Sequence, residues 1–127
     1  RKSIFWHMPG YLDKPVSRGR DAIFRTRPVS IIRKGRWKLH LYLEEWVLDG
    51  GDATIATNNA VELYDLENDR GEHKNLANIN PEIRNALVNE LVAWHGSAKA
   101  PIPTDKNPEY APSKNAAKKS KKKKRNK

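Results

Sequence analysis

The chain contains no cysteine. Disulfide cross-links and thiol chemistry are therefore excluded, and cysteine usage carries no information about compartment. It has no apolar run near the ~20 residues that a membrane-spanning helix needs. It begins at Arg1, with neither Met nor the charged and apolar regions of a signal peptide, and so reads as a piece of a longer polypeptide. Apolar residues are scarce: they make up 37% of the chain, and mean hydropathy is −0.87. At 127 residues this composition predicts one domain at most, with a modest core beside long solvated segments. Nucleic-acid signatures are missing too, with no zinc-finger spacing, no aromatic-basic RNA-binding strand and no helix-turn-helix pattern. The four histidines, His7, His40, His73 and His95, include no pair at metal-site spacing.

Acid is absent from the last stretch. Lys114 to Lys127 holds nine Lys or Arg and no Asp or Glu, so most of the formal charge of +10 sits there. Such a run repels itself, and the expectation is a disordered tail with weak attraction to polyanions. The remainder divides into two blocks. Arg1 to Leu43 has eleven basic and two acidic residues, whereas Glu44 to Ser113 has five basic and thirteen acidic. These blocks fit two surfaces that attract each other, or a basic N-terminal segment facing an anionic substrate.

What is present is organised between Pro28 and Leu66. Trp37, Leu39, Leu41 and Leu43 alternate with Lys38, His40, Tyr42 and Glu44, the period of a half-buried strand. Val29, Ile31 and Ile32 form a shorter strand before Lys34-Gly35, where Gly can supply the positive φ of a tight hairpin. Val61 to Leu66 alternates again as a third strand, and Arg1 to Phe5 reads as an edge strand. On the first of these strands Ile31 and Arg33 share one face, with Ile32 and Lys34 on the other. Tyr11 to Arg27 is a loop with Pro15 and Gly19, its end alternating Phe24, Arg25, Thr26 and Arg27. Glu44 to Ala60 contains Asp49-Gly50-Gly51-Asp52, a turn signal, and reads as a small extra hairpin or irregular loop. The aspartates lack the spacing of an EF-hand calcium loop.

A helix follows. Asn80 stands as N-cap, Pro81 at the first helical position and Glu82 in the first turn. Ile83, Leu87, Leu91 and Trp94 make one apolar stripe, ended by Gly96. The fold class is therefore α+β: a small antiparallel sheet of three to four strands with one C-terminal amphipathic helix packed on a face. Trp37, Leu39, Leu63, Leu87, Leu91 and Trp94 should form its core. The organisation runs as a lead-in loop and edge segment at 1–26, the sheet-plus-helix unit at 27–96, a Pro-containing extended segment at 97–113 and the Lys-rich tail at 114–127.

Four pieces carry a family resemblance. Ile32-Arg33-Lys34-Gly35-Arg36-Trp37-Lys38-Leu39, then Glu62-Leu63-Tyr64-Asp65-Leu66, then Asn75-Leu76-Ala77, resemble in order the C-terminal subdomain of formylglycine-dependent sulfatases. Phe5-Trp6-His7-Met8-Pro9 resembles the stretch that leads into that subdomain in many bacterial members. The likeness spans roughly Ile4 to Trp94. The chain departs from it at Arg70-Gly71, where the family often has Pro, and in the long connection 44–60. The resemblance implies a sulfuric ester hydrolase of the arylsulfatase or N-sulfoglucosamine sulfohydrolase type, with this chain completing the pocket for a sulfated carbohydrate. It implies a periplasmic or secreted parent.

The chemistry of that family lies elsewhere. None of the six serines stands in a C/S-x-P-x-R motif, and no Asp-rich calcium cluster is present. The resemblance therefore implies that nucleophile and Ca²⁺ belong to an N-terminal catalytic domain outside this chain. No catalytic residue, metal ligand or cofactor is expected within it, and alone it should be inert. The candidate substrate-binding residues are His7, Arg33, Trp6 and Arg25. Arginine suits the task because its planar fork makes paired bonds to sulfate oxygens. His7, among aromatics, also fits a structural role. The expected partners are the catalytic domain, a sulfated glycan or aryl sulfate, and polyanions at 114–127, with no membrane. Other readings remain open: a catalytically dead relative, another hydrolase of the alkaline phosphatase superfamily, or a free-standing module for acidic polymers.

Overall fold

The computed structural model describes residues 3–11 and 27–103. Four strands, β1 (Ser3–Met8), β2 (Val29–Lys34), β3 (Trp37–Tyr42) and β4 (Val61–Asp65), form one antiparallel sheet in the order β1-β2-β3-β4. A short helix, α1 (Leu43–Leu48), continues directly from β3, and the long helix α2 (Pro81–Ala98) follows β4. The α+β class with a helix on one face is what the alternation and the helical stripe required. The two-residue hairpin loop is Gly35-Arg36, because Lys34 still pairs with Trp37. Gly35 takes φ +59° there, the left-handed value that favours glycine at the first position of such a loop.

The pairing register sorts the side chains into two faces. Phe5, Ile32, Leu39 and Leu63 lie in one row across the sheet. That row turns toward α2 and meets Leu87, Val88 and Leu91 in a single core. Ile32, Leu39, Leu41, Leu63 and Leu91 are fully buried, each contributing about 1.5–3 kcal/mol by leaving water. Trp37 and Trp94, expected in this cluster, pack against its margin and are half-buried. Trp94 stacks on Phe5 at 4.9 Å with a 2° interplanar angle, closing the core at the β1 edge.

Three expectations need correction. The 44–60 connection holds no hairpin: it is α1, then a 3-10 turn at Gly51–Thr54. Leu43, Trp46 and Val47 sit at helical spacing, and this local period overrides the strand alternation that precedes it. The connection is held by Asn58, whose Nδ2 donates to the Asp49 and Gly51 carbonyls at 3.2 Å, and by Trp46 Nε1 donating to Asp52 Oδ1 at 2.7 Å. Gly96 does not end α2; Lys99 does, at φ 53°, with its N–H bonded to the His95 carbonyl. An exposed glycine one turn from the end lowers helix propensity by only about 1 kcal/mol, which packing overrides. Asn80 occupies the N-cap position, but its side chain makes no capping bond; its carbonyl instead accepts from Arg84 N at 3.0 Å.

The outer edge of β4 is closed by the segment just before α2. Asn75 Oδ1 accepts from Leu63 N at 3.0 Å, and Leu76 N donates to the Leu63 carbonyl at 2.7 Å. One side chain and one backbone amide thus stand in for a fifth strand. The expected tail 114–127, most of the segment 97–113 and residues 12–26 of the expected loop lie outside the described residues.

Candidate functional site

The candidate residues separate across the sheet. His7 alternates onto the α2 face, while Trp6 and Arg33 face the other way, because side chains one residue apart on a strand point to opposite sides. Arg25 lies outside the described residues.

Both ring nitrogens of His7 are used inside the fold. Nε2 donates to the Pro101 carbonyl at 2.7 Å, and Nδ1 lies 2.5 Å from Ser30 Oγ. Ser30, fully buried on β2, is shared with His95 of α2, whose Nε2 lies 2.7 Å away. The carbonyl fixes the order of the chain of bonds. With its Nε2 proton committed to Pro101, a neutral His7 accepts the Ser30 hydroxyl at Nδ1, and Ser30 Oγ then accepts from His95 Nε2–H. His95 Nδ1 is left buried with no hydrogen-bond partner. Burial, and then the nearby His7, hold the His95 imidazole below its ordinary pKa. The triad joins β1, β2, α2 and the segment after α2. Ser30 is closed to solvent and cannot meet a substrate.

The opposite face is divided, more exposed toward β1 than toward β4. Toward β1 it is apolar: Ile4, Trp6 and Met8 are 42%, 42% and 38% exposed, beside half-buried Ile31. Toward β4 it is polar. Glu72 accepts from His40 Nε2 at 2.6 Å and from Lys38 Nζ at 3.1 Å, and these bonds draw its carboxyl down to about 2. Tyr64 donates to Glu62 at 2.7 Å, and burial together with that carboxylate pushes its phenol well above the usual range.

Arg33 stands at the hairpin end of the open face. There an open groove of about 550 Å³ is lined by Arg33, Gly35, Arg36, Leu66, Glu67 and Arg70. Arg36 is immobilised. Its guanidinium makes two parallel bonds to Asp65, its Cζ lies 5.6 Å from the Trp37 ring centroid, and its carbonyl accepts from Leu66 N at 2.7 Å. Asp65 in turn accepts from Asn68 Nδ2 at 2.9 Å and Glu67 N at 3.1 Å, and these donors, Arg36 first, hold its carboxyl far below the usual range. Among the described residues Arg33 and Arg70 have no ion-pair partner, and both are exposed.

The charge blocks meet, the first of the two readings that the sequence left open. The Lys and Arg ion pairs between described residues join the basic first block to the acidic second: Arg27 with Glu45, Lys34 with Glu90, Arg36 with Asp65 and Lys38 with Glu72. Arg33 is left over from that matching. Arg36 and Arg70 were not singled out from the sequence. The signal for Arg36 was its position as the second loop residue, one place before Trp37, which the register pairs with Asp65. Arg70 carried no such signal, because an irregular connection brings it to the groove. Among the described residues no three His, Asp or Glu side chains converge as a metal site, and no helix is long and apolar enough to cross a membrane.

No family model and no curated protein matches this chain.

Proposed function

We propose that this chain is the C-terminal subdomain of a sulfatase-type sulfuric ester hydrolase, completing the wall of a pocket for a sulfated carbohydrate. The nucleophile and Ca²⁺ belong to the catalytic domain that would precede it. The observation that carries the reading is the way the motif pieces interlock. The Arg-Lys-Gly-Arg-Trp-Lys piece is bonded to Glu-Leu-Tyr-Asp-Leu through Arg36 and Asp65, and Asn-Leu-Ala is bonded to the same strand through Asn75 and Leu63. Residues that resemble a family pattern at scattered positions are thus the ones that tie the hairpin loop and the 75–77 segment to β4. The apolar strip of Ile4, Trp6 and Met8 supports the reading further, since three neighbouring large apolar side chains that stay partly exposed offer a surface for a further domain to cover.

In this role Arg33 and Trp6 contact substrate or the catalytic domain from the open face, and His7 braces β1 against α2. The test is the polypeptide upstream of Arg1. A C/S-x-P-x-R motif there, with sulfate released from an aryl sulfate or a sulfated glycan by the complete enzyme, is the expected result. Absence of that motif would overturn it and leave the reading as a binding module for acidic polymers.

A further inference from the structure

We propose that the groove at the hairpin end of the sheet is an oxyanion-binding site, in which Arg33 and Arg70 close on a sulfate or phosphate monoester from either side of a fixed Arg36. The ligand class deepens the sulfatase reading and rests on it; the geometry stands without it. Three arginines line one groove of about 550 Å³, from the end of β2, the hairpin loop and the connection after β4. Only Arg36 has a carboxylate engaged in paired bonds. The remaining acid of the groove, Glu67, is 67% exposed and reaches Arg36 Nη1 at only 3.6 Å. It occupies, loosely, the place where a stronger anion would sit. The forks of Arg33 and Arg70 are free to present paired donors to the oxygens of a tetrahedral group, while Arg36, whose Nε and Nη2 are held by Asp65, keeps Nη1 for it and a fixed wall between them. Gly35 adds a wall without a side chain, so a ligand can approach the loop backbone closely.

The site is tested by ¹H–¹⁵N NMR titration of the full chain in 150 mM NaCl. The probes are sodium sulfate, sodium phosphate and a sulfated heparin disaccharide. The expected result is a saturable shift of the Gly35, Arg36 and Arg70 amides. The dissociation constant should rise at least tenfold in Arg33→Gln with Arg70→Gln, fall in Glu67→Gln, and hold steady in Lys74→Gln. A disaccharide bound more than tenfold tighter than inorganic sulfate identifies a sugar-borne ester as the ligand; equal binding identifies the free oxyanion. Shifts that fail to saturate, that appear only at residues 114–127, or that respond equally to Lys74→Gln and Arg33→Gln would overturn the proposal. Failure here leaves the sulfatase reading to its own upstream test. Loss of the sulfatase reading leaves a saturating site intact.

Discussion

Arg36, the second residue of the β2–β3 loop, grips Asp65 at the end of β4 through two parallel hydrogen bonds, Nε to Oδ1 at 2.9 Å and Nη2 to Oδ2. The pair ties the hairpin loop to the strand two places along the chain order and shapes one wall of the arginine-lined groove. Because these bonds favour the ionised carboxylate, Asp65 is depressed in the folded state. Its contribution is therefore present above the ordinary carboxylate range and disappears as pH falls below it.

The first prediction follows. The native chain should lose Tm between pH 4 and 2, and Asp65→Asn should lower the Tm at pH 7 and flatten that fall. Glu72, drawn to about 2 by His40 and Lys38, leaves part of that acid limb in place in the variant. Thermal melts of both proteins across pH 2–7 decide the matter. Parallel curves would mean that the pair contributes nothing to stability.

Core substitutions should rank by burial. Leu91→Ala, at a fully buried site, should cost about 2–5 kcal/mol. Trp94→Ala should cost about 2–4 kcal/mol, below the upper values for a wholly buried aromatic, because it loses the Phe5 stack and only part of its surface from the interior. Urea unfolding measures both. A Trp94→Ala change without effect would detach the β1 edge from the core.

The His7–Ser30–His95 bridge predicts a second pH window, distinct from the carboxylates. The His95 pKa is lowered in the fold, so the unfolded chain takes up a proton first as pH drops. Stability from this group is full above about pH 6.5, the value of a free imidazole, and is lost below it. Ser30→Ala should cost about 1–3 kcal/mol by leaving buried ring nitrogens unpaired. Melting curves from pH 5 to 8 check both statements; a flat profile in that interval would contradict the first.

Under the proposed sulfatase reading, Arg33→Ala in the complete polypeptide should reduce kcat/KM for a sulfated glycan roughly ten- to hundredfold, the loss of one charged hydrogen bond, mainly through KM. His7→Ala should lower Tm while leaving the kinetics of the surviving folded enzyme near those of the native form, since its ring is occupied by Ser30 and Pro101. Steady-state kinetics on the glycan and on a small aryl sulfate, beside melts, separate the two. The reverse assignment of effects would return His7 to the substrate and Arg33 to the hairpin.

The sequence by itself determined the architecture, because strand and helix periods are local. Trp37-Lys38-Leu39-His40-Leu41 can bury only one face, and Leu87, Leu91 and Trp94 offer the matching stripe. It determined the hairpin through Gly35, where a left-handed φ is needed, and offered the pairing of basic with acidic blocks as one of two readings of their charge. Tertiary structure decided the rest. A one-residue step along β1 sends His7 to the helix and Trp6 to the open face, so neighbours in one motif end on opposite sides of the sheet. Position in a motif does not reveal which ring nitrogens find buried partners; that depended on Ser30 and Pro101, which are 23 and 94 residues away from His7. The groove of Arg33, Arg36 and Arg70 was hidden for the same reason. Its members come from a strand end, a turn and an irregular connection, and only the folded chain brings their charges together.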